Sequence, residues 1–117
     1  MNKKQQQLNP AKVFLSSYLD AKYFRRRLIA VGPEAQSVHG EEIIKLEATM
    51  RGVVGVIAEL ENKEQRDVLT MRYINGWPWR RIIMEMNDKG YSESMSYTLH
   101  GRALQHVNEM LKRQPDS

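Results

Sequence analysis

Two sharp interruptions divide the second half of this chain and limit what it can become. Asn75-Gly76-Trp77-Pro78 is the first and Asp88-Lys89-Gly90-Tyr91-Ser92 is the second. Asn-Gly suits a left-handed helix stop, and proline two residues later suits the first turn of a new helix. Gly90 permits a second turn, and Ser92 is a good N-cap. Between the breaks, apolar residues recur at helical spacing. Val68, Leu69 and Tyr73 mark one helix, Lys63 to Ile74. Trp79, Ile82, Ile83 and Met86 mark the next, Trp79 to Asn87. Met95, Leu99, Ala103, Leu104, Val107 and Leu111 mark the last, Ser92 to about Lys112. No segment alternates with the period of a strand.

The first half has a different texture. Residues 1–9 are polar and Gln-rich, a composition expected to stay disordered. Asn9 can cap a helix that opens on Pro10 and ends at Gly32-Pro33. Its apolar face is Phe14, Tyr18, Ala21, Leu28 and Val31. Residues 34–40 read as a loop. A long helix then runs from about Glu41 to Asn62, with Ile43, Leu46, Met50, Val53, Ile57 and Leu60 stepping by three and four. That is a heptad seam. It can close on the first helix as a hairpin or on a second copy of the chain. The second is favoured here, because Arg25 interrupts the seam of the first helix. Arg25 alternatively pairs with a carboxylate of the second helix. The expected fold is all-α. A tail (1–9) and a helical arm (10–62) precede a trihelical unit (63–117).

Composition removes several function classes. There is no cysteine, so disulfides and thiolate chemistry are excluded, and a cytoplasmic location is expected. No apolar run is long enough to cross a bilayer, and MNKKQQQLNP lacks the apolar stretch of a secretory signal. His39, His100 and His106 do not form a metal set, and Glu41-Glu42 has no nucleophile placed with it. Neither an enzyme nor a cofactor is expected. The net charge is +4, unevenly spread. Residues 1–35 carry seven Lys/Arg against two Asp/Glu, residues 36–70 four against seven, and residues 71–117 seven against five. A moderate basic excess favours a polyanionic partner.

Three short helices, the last opening on small polar residues, are the layout of a helix-turn-helix DNA reader. Removing the apolar stripe leaves Glu93, Ser94, Tyr97, Thr98 and Arg102 on the outer face of the last helix. Serine and threonine hydroxyls can meet base edges, tyrosine a thymine methyl, and arginine a guanine or phosphate. Arg72, Arg80 and Arg81 are candidates to fix the register on phosphates. Trp77 and Trp79 read as packing residues rather than a stacking pair for bases. Arg25-Arg26-Arg27 reads equally as a solvated face or as a contact to flanking DNA.

The segment Arg66–Leu69, Arg72-Tyr73, Gly76, Trp79, Ile82, Ser92 and His100-Gly101-Arg102-Ala103-Leu104 resembles region 4 of bacterial sigma factors. It is more similar still to small phage and prophage regulators with such a C-terminal half, the ArpU-type late activators. The resemblance covers residues 64–111 and, loosely, 37–63. It implies that Ser92 caps a recognition helix. Glu93, Ser94, Tyr97 and Thr98 would then face bases, and Arg102 the backbone. By the same resemblance RNA polymerase is a partner. Two departures stand out. The turn before Ser92 is about three residues longer than the family's tight version, and the recognition helix is poor in cations. The expectation is a DNA-binding transcription regulator acting as a homodimer through the heptad seam. A small-terminase-like packaging protein and a protein-binding module without DNA reading are the alternatives.

Overall fold

The computed structural model describes residues 9–113. Five helices account for most of them, and no strand occurs among the described residues. The expected tail therefore lies outside the described residues except for Asn9, and so do residues 114–117 of the expected trihelical unit.

Helix α1 spans Pro10–Ile29. Asn9 Oδ1 accepts from the amides of Ala11 (2.9 Å) and Lys12 (3.3 Å), and Pro10 fills the first turn. The same oxygen accepts from Asn108 Nδ2 at 3.3 Å, which ties the start of α1 to the last helix. The buried face of α1 is Ala11, Leu15 and Ala21, flanked by Phe14 and Tyr18. Val31, expected on this face, lies beyond the helix end and is exposed.

Helix α2 spans Ala35–Ala58, and its bounds correct the expected ones. The segment read as a loop is helical because the Glu34 carbonyl accepts from the amides of Ser37 and Val38 (both 3.1 Å). A kink at His39 joins this turn to the main helix. The C-terminus comes before Asn62 because Asn62 is needed elsewhere. Its side chain caps the next helix through the Gln65 amide at 2.8 Å. The Arg66 guanidinium takes the freed carbonyls of Leu60 and Glu61.

Helix α3 spans Lys63–Leu69 and then widens into a π turn, Thr70–Ile74, closed by Asn75 N–H on the Thr70 carbonyl at 2.9 Å. This widening was not expected, and the helix that ends in it serves two cores at once. Leu69 and Tyr73 join a cluster with Ala11 and Leu15 of α1 and with Val53 and Ile57 of α2. Ala103, Leu104 and Val107 complete that cluster. Val68 and Met71 join a second cluster with Ile82 and Met86. Helix α4 spans Trp79–Asp88 and helix α5 spans Glu93–Arg113, close to the expected bounds.

Three further expectations change. The seam of α2 closes within the chain, because α1 packs extensively along it. Ile43, Val53, Ile57 and Leu60 are buried and Leu46 and Met50 are half-buried within the single chain. Arg25 lies on that contact and pairs with Glu47 at 2.7 Å, the alternative role foreseen for it. The stripe of α5 begins at Ser96 rather than Met95: Ser96 is fully buried and Met95 is 48% exposed. Finally, Asn62 marks a corner of the chain and not a break in the core, since the larger cluster draws on both halves.

Gly76 connects the first turn to α1. Its φ is +71°, and a Cβ there would sit 3.3 Å from Leu19 Cδ1. Gly76→Ala is expected to cost about 1–3 kcal/mol from the left-handed backbone, with the Leu19 contact adding to it. Urea unfolding should show a lower midpoint at an unchanged slope. An unchanged midpoint would show that the turn relaxes without strain.

Candidate nucleic-acid interface

The N-terminal half of α5 is an exposed polar surface on a buried support. Ser92 caps it, with Oγ accepting from the Met95 amide at 3.1 Å. The Ser92 carbonyl accepts from both the Ser96 amide (3.0 Å) and Ser96 Oγ (2.9 Å). Ser96 is thus small, buried and satisfied, which lets α5 sit close to its neighbours. On the other side, Glu93, Ser94, Tyr97 and Thr98 are exposed and line one shallow concavity. Arg102 is exposed one turn beyond Thr98. Thr98 donates its hydroxyl to the Ser94 carbonyl at 3.0 Å, so its lone pairs and methyl are what it presents outward. Glu93 lies in the first turn, where the helix dipole favours a carboxylate.

Trp79 anchors this half of α5. Its ring meets Tyr97 at 4.9 Å and the edge of His100 at 4.8 Å, and the Arg72 guanidinium lies 5.2 Å from its centroid. Beneath it, the Tyr73 hydroxyl and His100 Nε2 are 2.8 Å apart and hydrogen-bonded. Tyr97 is therefore held by a ring contact while its other side faces solvent. Arg72 also donates to the Trp77 carbonyl at 3.1 Å. Of the three expected phosphate contacts, Arg72 is half-buried and holds the first turn. Arg80 is exposed, and Arg81 is exposed with its guanidinium 3.7 Å above the Trp77 ring. Both tryptophans pack within the protein, as expected.

The second turn is held at several points despite its length. Tyr91 N–H reaches the Met86 carbonyl at 3.0 Å and Gly90 N–H the Asn87 carbonyl at 2.9 Å, with Gly90 at φ +93°. Lys89 pairs with Asp67 of α3 at 3.1 Å, and Lys63 shares that carboxylate at 3.1 Å. Burial pushes the Asp67 carboxyl up, but the hydrogen bonds from Lys63 and Lys89 outweigh it and leave it below its ordinary value. Farther along, His106 Nδ1 meets the buried Gln65 Oε1 at 2.9 Å.

His100, Tyr73, Gln65 and Ser96 were not singled out from the sequence as supporting residues. A signal existed for two of them: Ser96, His100, Ala103 and Val107 step by four, three and four, one helical face. The polar Ser96 and His100 on that face are less conspicuous in the sequence than the apolar Met95 beside it. The described residues contain no group of three or more His, Cys, Asp or Glu able to hold a metal ion.

His100 is nearly inaccessible, and burial lowers its pKa to about 4, helped by the charges of Lys12 and Arg72. Burial raises Tyr73 against a smaller opposing effect of Arg72. An imidazole that titrates near 6.5 when unfolded and near 4 when folded binds fewer protons in the folded state between those values. Stability is then full above about pH 6.5 and falls as pH drops towards 4, by up to about 3 kcal/mol. Asp67 acts in a separate window, its contribution being lost only as pH falls through 3.8 and below. Urea titrations at stepped pH should show the slope between 6.5 and 4 in the wild type and a flat profile in His100→Gln. An equal slope in the variant would assign the acid sensitivity to another group.

Comparison of the chain with protein-family models, with curated proteins and with solved structures yields no match.

Proposed function

We propose that this protein is a sequence-specific reader of double-stranded DNA that regulates transcription. Helices α3, α4 and α5 would act as a helix-turn-helix, with α5 as the recognition helix. The observation that carries the reading is the exposed start of α5. Ser94, Tyr97 and Thr98 present hydroxyls and a ring edge along one face, on a helix whose opposite face is locked by Ser96, His100 and Trp79. Such a face can enter a major groove without rearrangement of its support. Arg80 and Arg81, at the start of α4, supply charge for the flanking phosphates. The likeness of residues 64–111 to sigma region 4 and to phage late activators extends the proposal. On that basis the protein is of phage or prophage origin and works beside RNA polymerase.

One observation favours a second reading. No Lys or Arg occurs between Gly90 and Gly101, and Glu93 stands at the tip of α5. A recognition helix with no cation in its first two turns leaves the affinity to Arg102 and to contacts elsewhere. The same face suits a protein partner, RNA polymerase by the likeness above, bound through the shape of the unit alone.

Affinity selection from sheared host and phage DNA near physiological salt separates the two. The wild type is expected to retain fragments sharing one motif, and the Tyr97→Ala/Thr98→Ala double variant to lose it while remaining folded. Uniform, salt-sensitive retention by both would reduce the role of α5 to backbone contact. No retention, with polymerase capture intact, would replace DNA reading by protein docking.

A further inference from the structure

Beside the proposed reading face lies a concavity of about 380 Å³ that no role described so far uses. Helix α1 forms one wall with Lys12, Ser16 and Asp20; Arg72, Trp79 and His100 form the other. Lys12 and Arg72 are sixty residues apart in the chain, yet both charges act on the same imidazole. Neither cation has a carboxylate within ion-pair distance among the described residues. Asp20 lines the concavity without pairing with either, so one net positive charge remains. The Ser16 hydroxyl has no hydrogen-bond partner among the described side chains, and His100 stays uncharged at neutral pH, its Nε2 engaged by Tyr73.

Two convergent cations, a free hydroxyl and unused guanidinium N–H groups form a set of donors, with a single carboxylate against them. Such a set suits a tetrahedral oxyanion with several acceptor oxygens. We propose that the concavity between α1 and the Arg72–Trp79 segment binds a phosphate group, with Lys12 and Arg72 as its cationic partners and Ser16 as a hydroxyl donor. Its position says where that phosphate comes from. Trp79 lines the concavity and also touches Tyr97, so the pocket borders the face proposed to enter the groove. A duplex engaged by Ser94, Tyr97 and Thr98 runs one strand past this pocket, and a phosphate of that strand is the occupant. This source rests on the DNA reading above; the phosphate chemistry does not. It makes α1 part of the DNA interface and supplies the charge that the tip of α5 lacks.

Two arms test the proposal on the full chain. In the first, wild type, Lys12→Gln and Lys22→Gln bind duplex DNA across a salt series. Lys22 is an exposed cation of α1 outside the pocket, so Lys22→Gln matches the loss of charge but not its place. Lys12→Gln is expected to lower affinity for all sequences alike and to reduce the salt slope by about 1, while Lys22→Gln leaves the slope unchanged. In the second arm, NMR follows the Trp79 indole and Gly76 amide signals as inorganic phosphate replaces chloride at constant ionic strength. Saturable shifts are expected in wild type and Lys22→Gln and not in Lys12→Gln. If no DNA binds but phosphate gives these Lys12-dependent shifts, the pocket stands with free phosphate as its source and the DNA reading falls. An unchanged salt slope together with phosphate-insensitive signals overturns the pocket itself. Circular dichroism of the three proteins confirms that the comparison is between folded chains.

Discussion

The hydrogen bond between Tyr73 and His100, roofed by Trp79, is the joint on which the other placements depend. It links the π turn after α3, the first turn of α4 and the middle of α5. Each partner is buried, so breaking the bond would leave a hydroxyl or an imidazole nitrogen without water, at a cost of about 1–3 kcal/mol. Stacking of the two rings at 5.7 Å adds a packing preference to the polar one. The exposed half of α5 can only present Ser94, Tyr97 and Thr98 in a fixed direction if this joint is made. The π turn matters for the same reason. Within it Met71 and Tyr73 serve opposite clusters, one against α4 and one against α1 and α5.

The second dependency is α1. The sequence places it in an arm apart from the trihelical unit, and the structure places its first two turns inside the main core. Ala11 and Leu15 are fully buried there, and Asn9 both caps α1 and receives Asn108. The small Ala11 allows close approach, and Leu19 reaches the turn at Gly76. Beyond Tyr18 the outer parts of α1 and α2 extend past this core, giving a molecule of 49 × 34 × 32 Å. Tyr23, Phe24 and Ile44 stand exposed along that extension. What positions Lys12 beside His100 is therefore the same packing that holds the unit together.

Local chemistry was the legible part of this chain. Asn9 with Pro10, Ser92 at the last helix, and Gly76 and Gly90 at positive φ each announce themselves, because caps and left-handed turns need particular residues at particular places. The extents of α4 and α5 follow from them. Positions decided by tertiary contact were not legible. The start of α2 depends on hydrogen bonds to the Glu34 carbonyl. Its end depends on Arg66 reaching back and on Asn62 being taken as a cap. The seam of α2 carries the same pattern whether it meets α1 or a second copy, and only the packing of α1 decides. On α5, hydrophobicity pointed to Met95, while close approach required the small Ser96 one residue on.

The candidate face was legible for a simpler reason: it is what remains when the buried stripe is removed. Shifting that stripe by one residue at its start leaves Glu93, Ser94, Tyr97 and Thr98 exposed all the same, since none of them lies at the shifted position. What subtraction along one helix could not reveal is charge brought in by another. Lys12 is more than eighty residues from Thr98 in the chain, and only the crossing of α1 over the α5 side of the core sets it beside Trp79 and His100. Under the proposed DNA reading, an α5 whose first two turns carry no cation looks deficient when read alone. Set against α1, it borders a concavity that holds Lys12 and Arg72. In the proposed DNA complex, base discrimination and phosphate attraction would then fall to different elements, in keeping with the separation of specific from positional contacts.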